Sequence, residues 1–247
     1  MTLLEITLLG LLAGTMGTAL GGILGLFLSR ISPLQISSLL GLAAGVMIAV
    51  VAFELLPEAF EDGGLGWGLA GLLLGIGLMA AIDLVFPHHH VFGKEDRSPF
   101  LKTGAIMGLG IAMHNFPEGL AIGVGGMQEA YLGIALAAAI FLHNIPEGLA
   151  LSLPLNVGKV QAHRILLTTI LVGVPMGLGA FMGGFIGTIS PMLNSMALGF
   201  AAGAMLFITF DELIPQMEKL STGHSGTFGV LSGVIVGILI LASIPHH

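Results

Sequence analysis

The sequence predicts an all-α membrane protein built from eight transmembrane helices in one domain, residues 1–247. Three observations lead to this prediction. Hydrophobic residues make up 55% of the chain and charged residues only 9%, whereas ordinary soluble domains carry about 25% charged residues. Glycine accounts for 39 of the 247 residues, and small residues let membrane helices approach each other closely. Eight apolar runs are long enough to cross a bilayer, which takes about 20 residues.

The same composition excludes several classes of protein. Seven Lys and Arg residues and a net charge of −7 argue against a nucleic-acid partner. The absence of cysteine excludes thiolate metal sites, thiol catalysis and disulfide scaffolds. With a mean hydropathy of +1.02, the chain has too little polar surface for a soluble enzyme. We therefore expect a multi-pass protein of the cell membrane, surrounded by the lipid bilayer.

The eight runs are separated by short polar segments. No basic residue precedes the first run and no small-residue cleavage site follows it, so we expect a span there and not a removable signal peptide. The predicted spans are about 3–29, 36–57, 65–86, 100–125, 130–155, 165–188, 193–215 and 227–245.

The basic residues predict how these spans are oriented. All seven fall in the first, third, fifth and seventh loops: Arg30, Lys94, Arg97, Lys102, Lys159, Arg164 and Lys219. Because basic loops stay on the cytoplasmic side, both termini are expected outside. The outer side carries acids that either enrich cations there or are simply solvated: Glu5, Glu58, Glu61, Asp62 and Glu129.

An internal repeat relates the second and seventh spans. Residues 41–57 read GLAAGVMIAVVAFELLP and residues 199–215 read GFAAGAMLFITFDELIP. At one constant offset the two segments share Met47 with Met205, Glu54 with Glu212, and a proline at the end. The flanking spans agree more weakly. Gly21 to Gly25 resemble Gly183 to Gly187, and Gly71 and Gly75 resemble Gly233 and Gly237.

The predicted orientation makes this repeat inverted. The second span runs outwards and the seventh runs inwards, so spans one to three correspond to spans six to eight, with spans four and five as a central pair. Such a 3+2+3 inverted repeat is typical of secondary transporters, which bind substrate near the membrane midplane. The alternative is a duplication that survives only as an evolutionary relic.

A doubled polar motif lies near the middle of the two central spans. Span four reads HNFPEG from His114 to Gly119, and span five reads HNIPEG from His143 to Gly148. His and Glu four residues apart share one helix face, and the antiparallel neighbours let two half-sites face each other. The candidate metal ligands are His114, Asn115, Glu118, His143, Asn144 and Glu147.

The chemistry of these residues suits a cation. Each buried carboxylate costs about 2.5–3.5 kcal/mol at the bilayer centre, and the interiors of the spans offer no Lys or Arg to offset it. Each proline also frees one backbone carbonyl, that of Met113 or of Leu142. Nitrogen and oxygen ligands without thiolates suit Zn²⁺, Fe²⁺, Mn²⁺ or Co²⁺. The metal would be a passing substrate, and no cofactor is expected.

Other polar residues extend this hypothesis. Asp83, at the inner end of span three, is interpreted as an interfacial residue. The inner loop, about 87–99, contains His88, His89 and His90, which either catch metal on the cytoplasmic side or form a plain polar loop. Five further residues are candidates for the route of an ion: Met47, Glu54, Met113, Asp211 and Glu212. The alternative for the three acids is that they are ordinary interfacial carboxylates.

Two other functions are alternatives to transport. An intramembrane zinc-dependent hydrolase is the main alternative, but zinc hydrolases commonly present HExxH, and here the order is HxxxE with a symmetric twin. A haem-binding electron carrier with His114 and His143 as axial ligands is the third hypothesis. The adjacent glutamates and the low aromatic content argue against it.

The paired HNxPEG motifs resemble the ZIP (ZRT/IRT-like) divalent metal transporters, in particular the short bacterial GufA-like branch. The resemblance covers essentially the whole chain. It implies uptake of Zn²⁺, or of Fe²⁺, Mn²⁺, Co²⁺ or Cd²⁺, towards the cytoplasm, usually by a homodimer. It also implies that the six motif residues named above are the metal ligands and that the chain is not an enzyme.

Two positions depart from that family pattern. Members with a two-metal site carry Glu before Pro on span six, whereas this chain reads Gly173-Val174-Pro175; we therefore expect a single central ion. Many relatives have His before the Glu of span seven, where this chain has Asp211. The inner exit is accordingly expected to be richer in oxygen ligands.

Overall fold

The computed structural model describes residues 1–27, 32–85, 98–221 and 223–242. All regular secondary structure in these residues is helical. The α-helices are α1 Leu3–Phe27, α2 Pro33–Val50, α3 Leu56–Gly63, α4 Leu65–Val85, α5 Ser98–Gln128, α6 Ala130–Val157, α7 Ala162–Ile186, α8 Pro191–Ile208, α9 Ile214–Leu220 and α10 Ser225–Ala242. Two π-helical turns, π1 Val51–Leu55 and π2 Thr209–Leu213, join α2 to α3 and α8 to α9. His88, His89 and His90 lie outside the described residues.

Seven of these helical segments are apolar and long enough to cross a membrane. They are Leu3–Phe27, Pro33–Gly63, Leu65–Leu84, Ala130–Asn156, Ala162–Ile186, Pro191–Leu220 and Ser225–Ala242, and each coincides with a predicted span. The all-α membrane class is therefore confirmed. The remaining predicted span is helix α5, which carries the buried polar residues His114, Asn115 and Glu118 in its middle; the count of eight stays a prediction.

Local sequence explains why two of the helices begin before their predicted boundaries. The Ser32 side chain accepts a hydrogen bond from the Gln35 backbone N–H, and the Gln35 side chain accepts one from the Ser32 N–H, which forms a capping box. Ser190 caps α8 in the same way through the Leu193 N–H. In both helices a proline follows the cap, which suits the first helical position.

The helices pack as two groups. In one group α1, α5, α6 and α7 pack against one another; in the other, α2 packs against α10 and α4 against α8, with α3 and α9 alongside. The groups meet where α2 contacts α6 and α5 contacts α8. A buried apolar cluster that includes Met47, Leu136 and Met205 fills this junction, so the polar motifs of α5 and α6 lie beside the main core.

Glycines set how closely the helices approach. A Cβ atom added at Gly45 would lie 2.1 Å from the Val230 carbonyl oxygen, and one at Gly203 would lie 2.1 Å from the Leu72 carbonyl oxygen. Real Cβ atoms do not come this close to backbone. The α2–α10 and α4–α8 contacts therefore depend on glycine, as in other membrane helix pairs.

These contacts correct the register of the repeat in its flanking spans. A Cβ at Gly71 would meet the Met196 carbonyl oxygen, and a Cβ at Gly229 would meet the Ser38 carbonyl oxygen. Gly71 thus corresponds to Gly229, not to Gly233 as predicted from the sequence. Gly75 likewise corresponds to Gly233, Gly21 to Gly179 and Gly25 to Gly183, all at the offset that relates Gly41 to Gly199. Glycines recur every four residues in these helices, so a slip of one turn looks almost the same in sequence.

The two π-helical turns occupy equivalent positions in the repeat. Each precedes a proline, Pro57 or Pro215, whose missing N–H cannot close the usual hydrogen bond to the carbonyl four residues earlier. The backbone widens instead, and the N–H groups of Leu56 and Ile214 bond to carbonyls five residues earlier. Glu54 and Glu212 lie on these widened turns. Single π-helical turns inside α-helices are frequent at functional sites.

Candidate metal centre

The two HNxPEG motifs lie side by side in the interior of the protein. Pro117 and Pro146 are inside continuous helices, α5 and α6. All six polar side chains of the motifs are buried, with at most 2% of their surface exposed: His114, Asn115, Glu118, His143, Asn144 and Glu147. The structure therefore buries every residue that the sequence proposed for the central site.

Histidines and glutamates pair across the two helices. His114 Nε2 lies 2.9 Å from Glu147 Oε2, and His143 Nε2 lies 2.8 Å from Glu118 Oε1. Each histidine thus contacts the glutamate of the other motif. The spacing of four residues places His and Glu on one face of each helix, and the two faces are turned towards each other.

Three of these side chains form a group that could hold a metal ion. One ligand atom from each of His114, Glu118 and Glu147 lies within 4.8 Å of the other two. The second oxygens, Glu118 Oε2 and Glu147 Oε1, are buried and have no hydrogen-bond partner in the described ranges. Leaving such atoms unsatisfied costs about 1–3 kcal/mol each, and more for charged groups. A cation bound between the carboxylates would remove that cost.

No basic side chain lies near the motifs along the central helices to neutralise these carboxylates, because the sequence has no Lys or Arg between Lys102, in the first turns of α5, and Lys159. Protonated histidine is the only cationic side chain available on the segment that carries the motifs. Two carboxylates facing two imidazoles supply both oxygen and nitrogen ligands, a set that divalent transition metals accept.

The two asparagines have different surroundings. Asn115 Nδ2 donates a hydrogen bond to the backbone carbonyl of Val172 on α7 at 2.7 Å. Within the described part of the chain, neither polar side-chain atom of Asn144 has a hydrogen-bond partner, although the residue is fully buried. The sequence motifs are the same, so this difference comes entirely from the neighbouring helices.

A small cavity begins one helical turn from His114. It offers about 20 Å³ to a water molecule, which is room for about one water. Three of the proposed pathway residues, Met113, Asp211 and Glu212, line it together with Met79, Ile82, Asp83, Gly110, Phe207 and Ile208. The Glu212 carboxylate accepts a hydrogen bond from Gln216 Nε2 at 3.2 Å and interacts electrostatically with His114.

Asp83 also lies on the wall of this cavity. The sequence interpretation treated it as an interfacial residue at the inner end of span three, and the structure adds that it lines the cavity with Asp211 and Glu212. The sequence signal for this position is that Asp83 is the only acid in an otherwise apolar predicted span. It also lies on the same predicted side of the membrane as Asp211 and Glu212.

The other two proposed pathway residues do not line this cavity. Met47 is fully buried, and its sulfur accepts a hydrogen bond from Thr209 Oγ1 at 3.7 Å. Glu54 lies on π1, where it belongs to a group of acids near Glu58. The carboxylates that interact electrostatically with Glu58 are Asp62, Glu61, Glu54 and Glu129.

Comparison with known proteins identifies the family. The family model described as "ZIP Zinc transporter" matches residues 88–245, which include both motifs and the segment with Asp211 and Glu212. The chain belongs to the ZIP family. A zinc transporter ZupT of Akkermansia muciniphila is 33% identical, with 97% of each chain covered. The zinc transporter ZupT of Corynebacterium aurimucosum is also 33% identical, over 94% of this chain and 94% of its own. That of Streptococcus mutans is 33% identical over 91% of this chain and 92% of its own.

Membership of the ZIP family confirms several predictions. The resemblance seen in the paired motifs is correct at the level of the family; the GufA-like branch stays a prediction. The ZIP relatives are transporters and not enzymes, and nothing supports the intramembrane hydrolase. The ZIP protein is an integral, multi-pass protein of the cell membrane.

Proposed function

We propose that this ZIP protein carries Zn²⁺ across the membrane towards the cytoplasm, with Fe²⁺, Mn²⁺, Co²⁺ and Cd²⁺ as further substrates. The ion binds a central site formed by His114, Asn115, Glu118, His143, Asn144 and Glu147. The observation that carries the proposal is the pair of crossed His–Glu contacts. One oxygen of each buried carboxylate has no hydrogen-bond partner among the residues described. The zinc transporters among the relatives support the choice of ion.

The site binds through charge compensation. A divalent cation between Glu118 and Glu147 neutralises two carboxylates that would otherwise each cost about 2.5–3.5 kcal/mol in the membrane. The ion displaces the histidine hydrogen bonds and gains imidazole nitrogen as a ligand. Thiolates would hold such an ion more tightly, and the chain has none. The ligand set therefore favours binding that still permits release, as conduction requires.

The layout of eight spans with both termini outside is part of this proposal. The crossed contacts pair His114 with Glu147 and Glu118 with His143, so α5 and α6 run antiparallel. They are joined by Glu129 alone. Because α6 is long and apolar enough to span, α5 crosses the same membrane beside it. Its 31 residues extend about 1.5 Å each, which is ample for one crossing.

The 3+2+3 inverted repeat is supported by paired contacts. Repeat-related glycines meet repeat-related carbonyls in α2–α10 and α4–α8. The serine caps of α2 and α8 and the two π-turns are related at the same offset. This arrangement makes the chain one transport domain with a binding site between its halves. A homodimer, which the family resemblance implies, is included as a proposal.

The cavity beside Met113 is proposed as the exit from the central site. It holds Asp83, Asp211 and Glu212 next to the His114 turn, so a released cation meets carboxylate oxygens immediately. The positive-inside rule puts this end on the cytoplasmic side. An ion moving from outside to inside would therefore pass from the nitrogen and oxygen ligands of the centre to oxygen ligands alone.

Glu212→Gln is predicted to slow release without abolishing binding at the centre. We expect the maximal Zn²⁺ uptake rate to fall by about tenfold, the change typical of removing a supporting group near a metal site, while Zn²⁺ binding is retained. Asp211→Asn and Asp83→Asn should have smaller effects of the same kind. Glu218→Gln, an exposed acid on the adjoining α9, is the matched control. Unchanged maximal rates in all three cavity variants would remove the cavity from the pathway.

The test of the proposed function is uptake by the purified protein in liposomes that contain a metal-sensitive dye. Zn²⁺ is expected to enter, and Fe²⁺, Mn²⁺, Co²⁺ and Cd²⁺ to compete with it. Mg²⁺ and Ca²⁺ should not compete, because they prefer all-oxygen ligands and the site presents imidazole. Protein-free liposomes are the control. A correctly inserted protein that gave no uptake of any of these metals would refute the proposal.

A further inference from the structure

The Asn115 amide has a defined orientation. Its partner, the Val172 carbonyl oxygen 2.7 Å away, can only accept a hydrogen bond, so the amide nitrogen must be the atom that faces α7. Asn115 Oδ1 is consequently turned away from Val172. That oxygen is buried and has no hydrogen-bond partner among the residues that the structure describes. Its position next to Glu118 on the same turn of helix makes it available to an ion in the central site.

Asn144 has no such anchor. In the repeat, the residue on α1 that corresponds to Val172 is Gly14. The Gly14 carbonyl oxygen lies 2.8 Å from the Thr18 hydroxyl, which also lies 2.5 Å from the Thr169 carbonyl oxygen. The Thr18 side chain thus lies against that carbonyl, and among the described residues neither Asn144 amide atom has a hydrogen-bond partner. No described hydrogen bond therefore fixes whether the amide oxygen or the amide nitrogen of Asn144 faces the site.

We infer that the Val172 carbonyl positions Asn115 as a fixed oxygen ligand, whereas Asn144 is an unanchored ligand that turns when the ion binds. The inference rests on the proposed metal transport. It adds that the two half-sites, although they share the same motif, hold their asparagine ligands differently. Outer groups that hold a ligand in place contribute measurably to metal affinity. Here the outer group is a backbone carbonyl, which is why no sequence motif reveals it.

Aspartate substitutions distinguish the two asparagines. In Asn115→Asp the donor nitrogen becomes an acceptor oxygen opposite the Val172 carbonyl, and two acceptors repel each other. The carboxylate then leaves the orientation that Asn115 holds. In Asn144→Asp no acceptor faces the new oxygen, and a negative charge is added beside the cation. The same chemical change is therefore expected to have opposite effects at the two positions.

The experiment measures the Zn²⁺ dissociation constant by competition with a chelating dye, together with KM and maximal rate of uptake. N115D is expected to bind Zn²⁺ about tenfold more weakly than wild type and to show a raised KM. N144D should bind as tightly as wild type or more tightly. If Asn115 were only a ligand and not positioned, N115D would also gain affinity from its charge, and that result would overturn the inference.

Alanine variants provide a second measurement that does not depend on N115D inserting correctly. N115A should lose more Zn²⁺ affinity than N144A, because it removes the fixed ligand; equal losses would overturn the inference. A purely structural bond would lower the metal-free melting temperature of N115A and leave Zn²⁺ affinity unchanged, which also contradicts it. If the proposed function itself were wrong, the wild type would fail to take up metal, an outcome that is distinguishable from all of these.

Discussion

Replacing Glu147 by Gln is expected to abolish most Zn²⁺ uptake. Glu147 contacts His114 at 2.9 Å and belongs to the group of three side chains that could hold an ion. With one carboxylate removed, a bound divalent cation retains one uncompensated charge. That charge costs about 2.5–3.5 kcal/mol at the bilayer centre, which corresponds to a loss of affinity of about a hundredfold. Uptake of Zn²⁺ into liposomes at a fixed low concentration measures this loss directly.

Glu118→Gln should have a similar effect, because Glu118 has the equivalent contact with His143 at 2.8 Å. Glu5→Gln is the matched control. Glu5 is an acid in the first turn of α1 that accepts a hydrogen bond from the Thr2 backbone N–H, and it is far from both motifs in the sequence. Zn²⁺ uptake by the Glu5→Gln variant should therefore equal that of wild type. If Glu147→Gln protein, inserted in normal amount, still transported at the wild-type rate, the central site would be wrongly assigned.

The central site could be predicted because its signal is local and doubled. His, Asn, Pro and Glu at fixed spacing on two neighbouring helices already place six polar residues near one another. The crossed pairing of His114 with Glu147 could not be predicted, because a spacing of four residues shows only that both side chains share a face. The Asn115–Val172 bond was also hidden, since every residue has a carbonyl and only the packing of α7 decides which one is used.

Other differences between prediction and structure have equally specific causes. The span that contains His114 is less apolar than the span that contains His143, although both carry the same motif, because α5 contains seven glycines and α6 only two. The predicted alignment of Gly71 with Gly233 was wrong by one helical turn, because these helices carry glycine at intervals of four residues. The serine caps at Ser32 and Ser190, with a proline after each, were a readable signal of the true register that the sequence interpretation did not use.

Gly75→Ala is expected to have the largest effect on stability, although it adds only one methyl group. The new Cβ would lie 2.2 Å from the Phe200 carbonyl oxygen and 2.9 Å from the Ala204 backbone nitrogen. Backbone atoms cannot move aside as a flexible side chain can, so α4 and α8 must separate. Overpacking of this kind costs about 1–3 kcal/mol. The melting temperature of the purified protein in detergent should fall, and uptake should fall with it, because α8 leads through π2 to Glu212.

Gly77→Ala is the matched control on the same helix. Gly77 is two residues further along α4 and is exposed; an added Cβ there would have no atom of the described residues within 4 Å. Alanine in a helix is more favourable than glycine by about 0.5–1 kcal/mol, so the melting temperature should stay the same or rise slightly. The two variants add the same atoms to the same helix and differ only in whether that surface packs against α8. A melting temperature for Gly75→Ala equal to that for Gly77→Ala would mean that the close α4–α8 contact does not stabilise the protein.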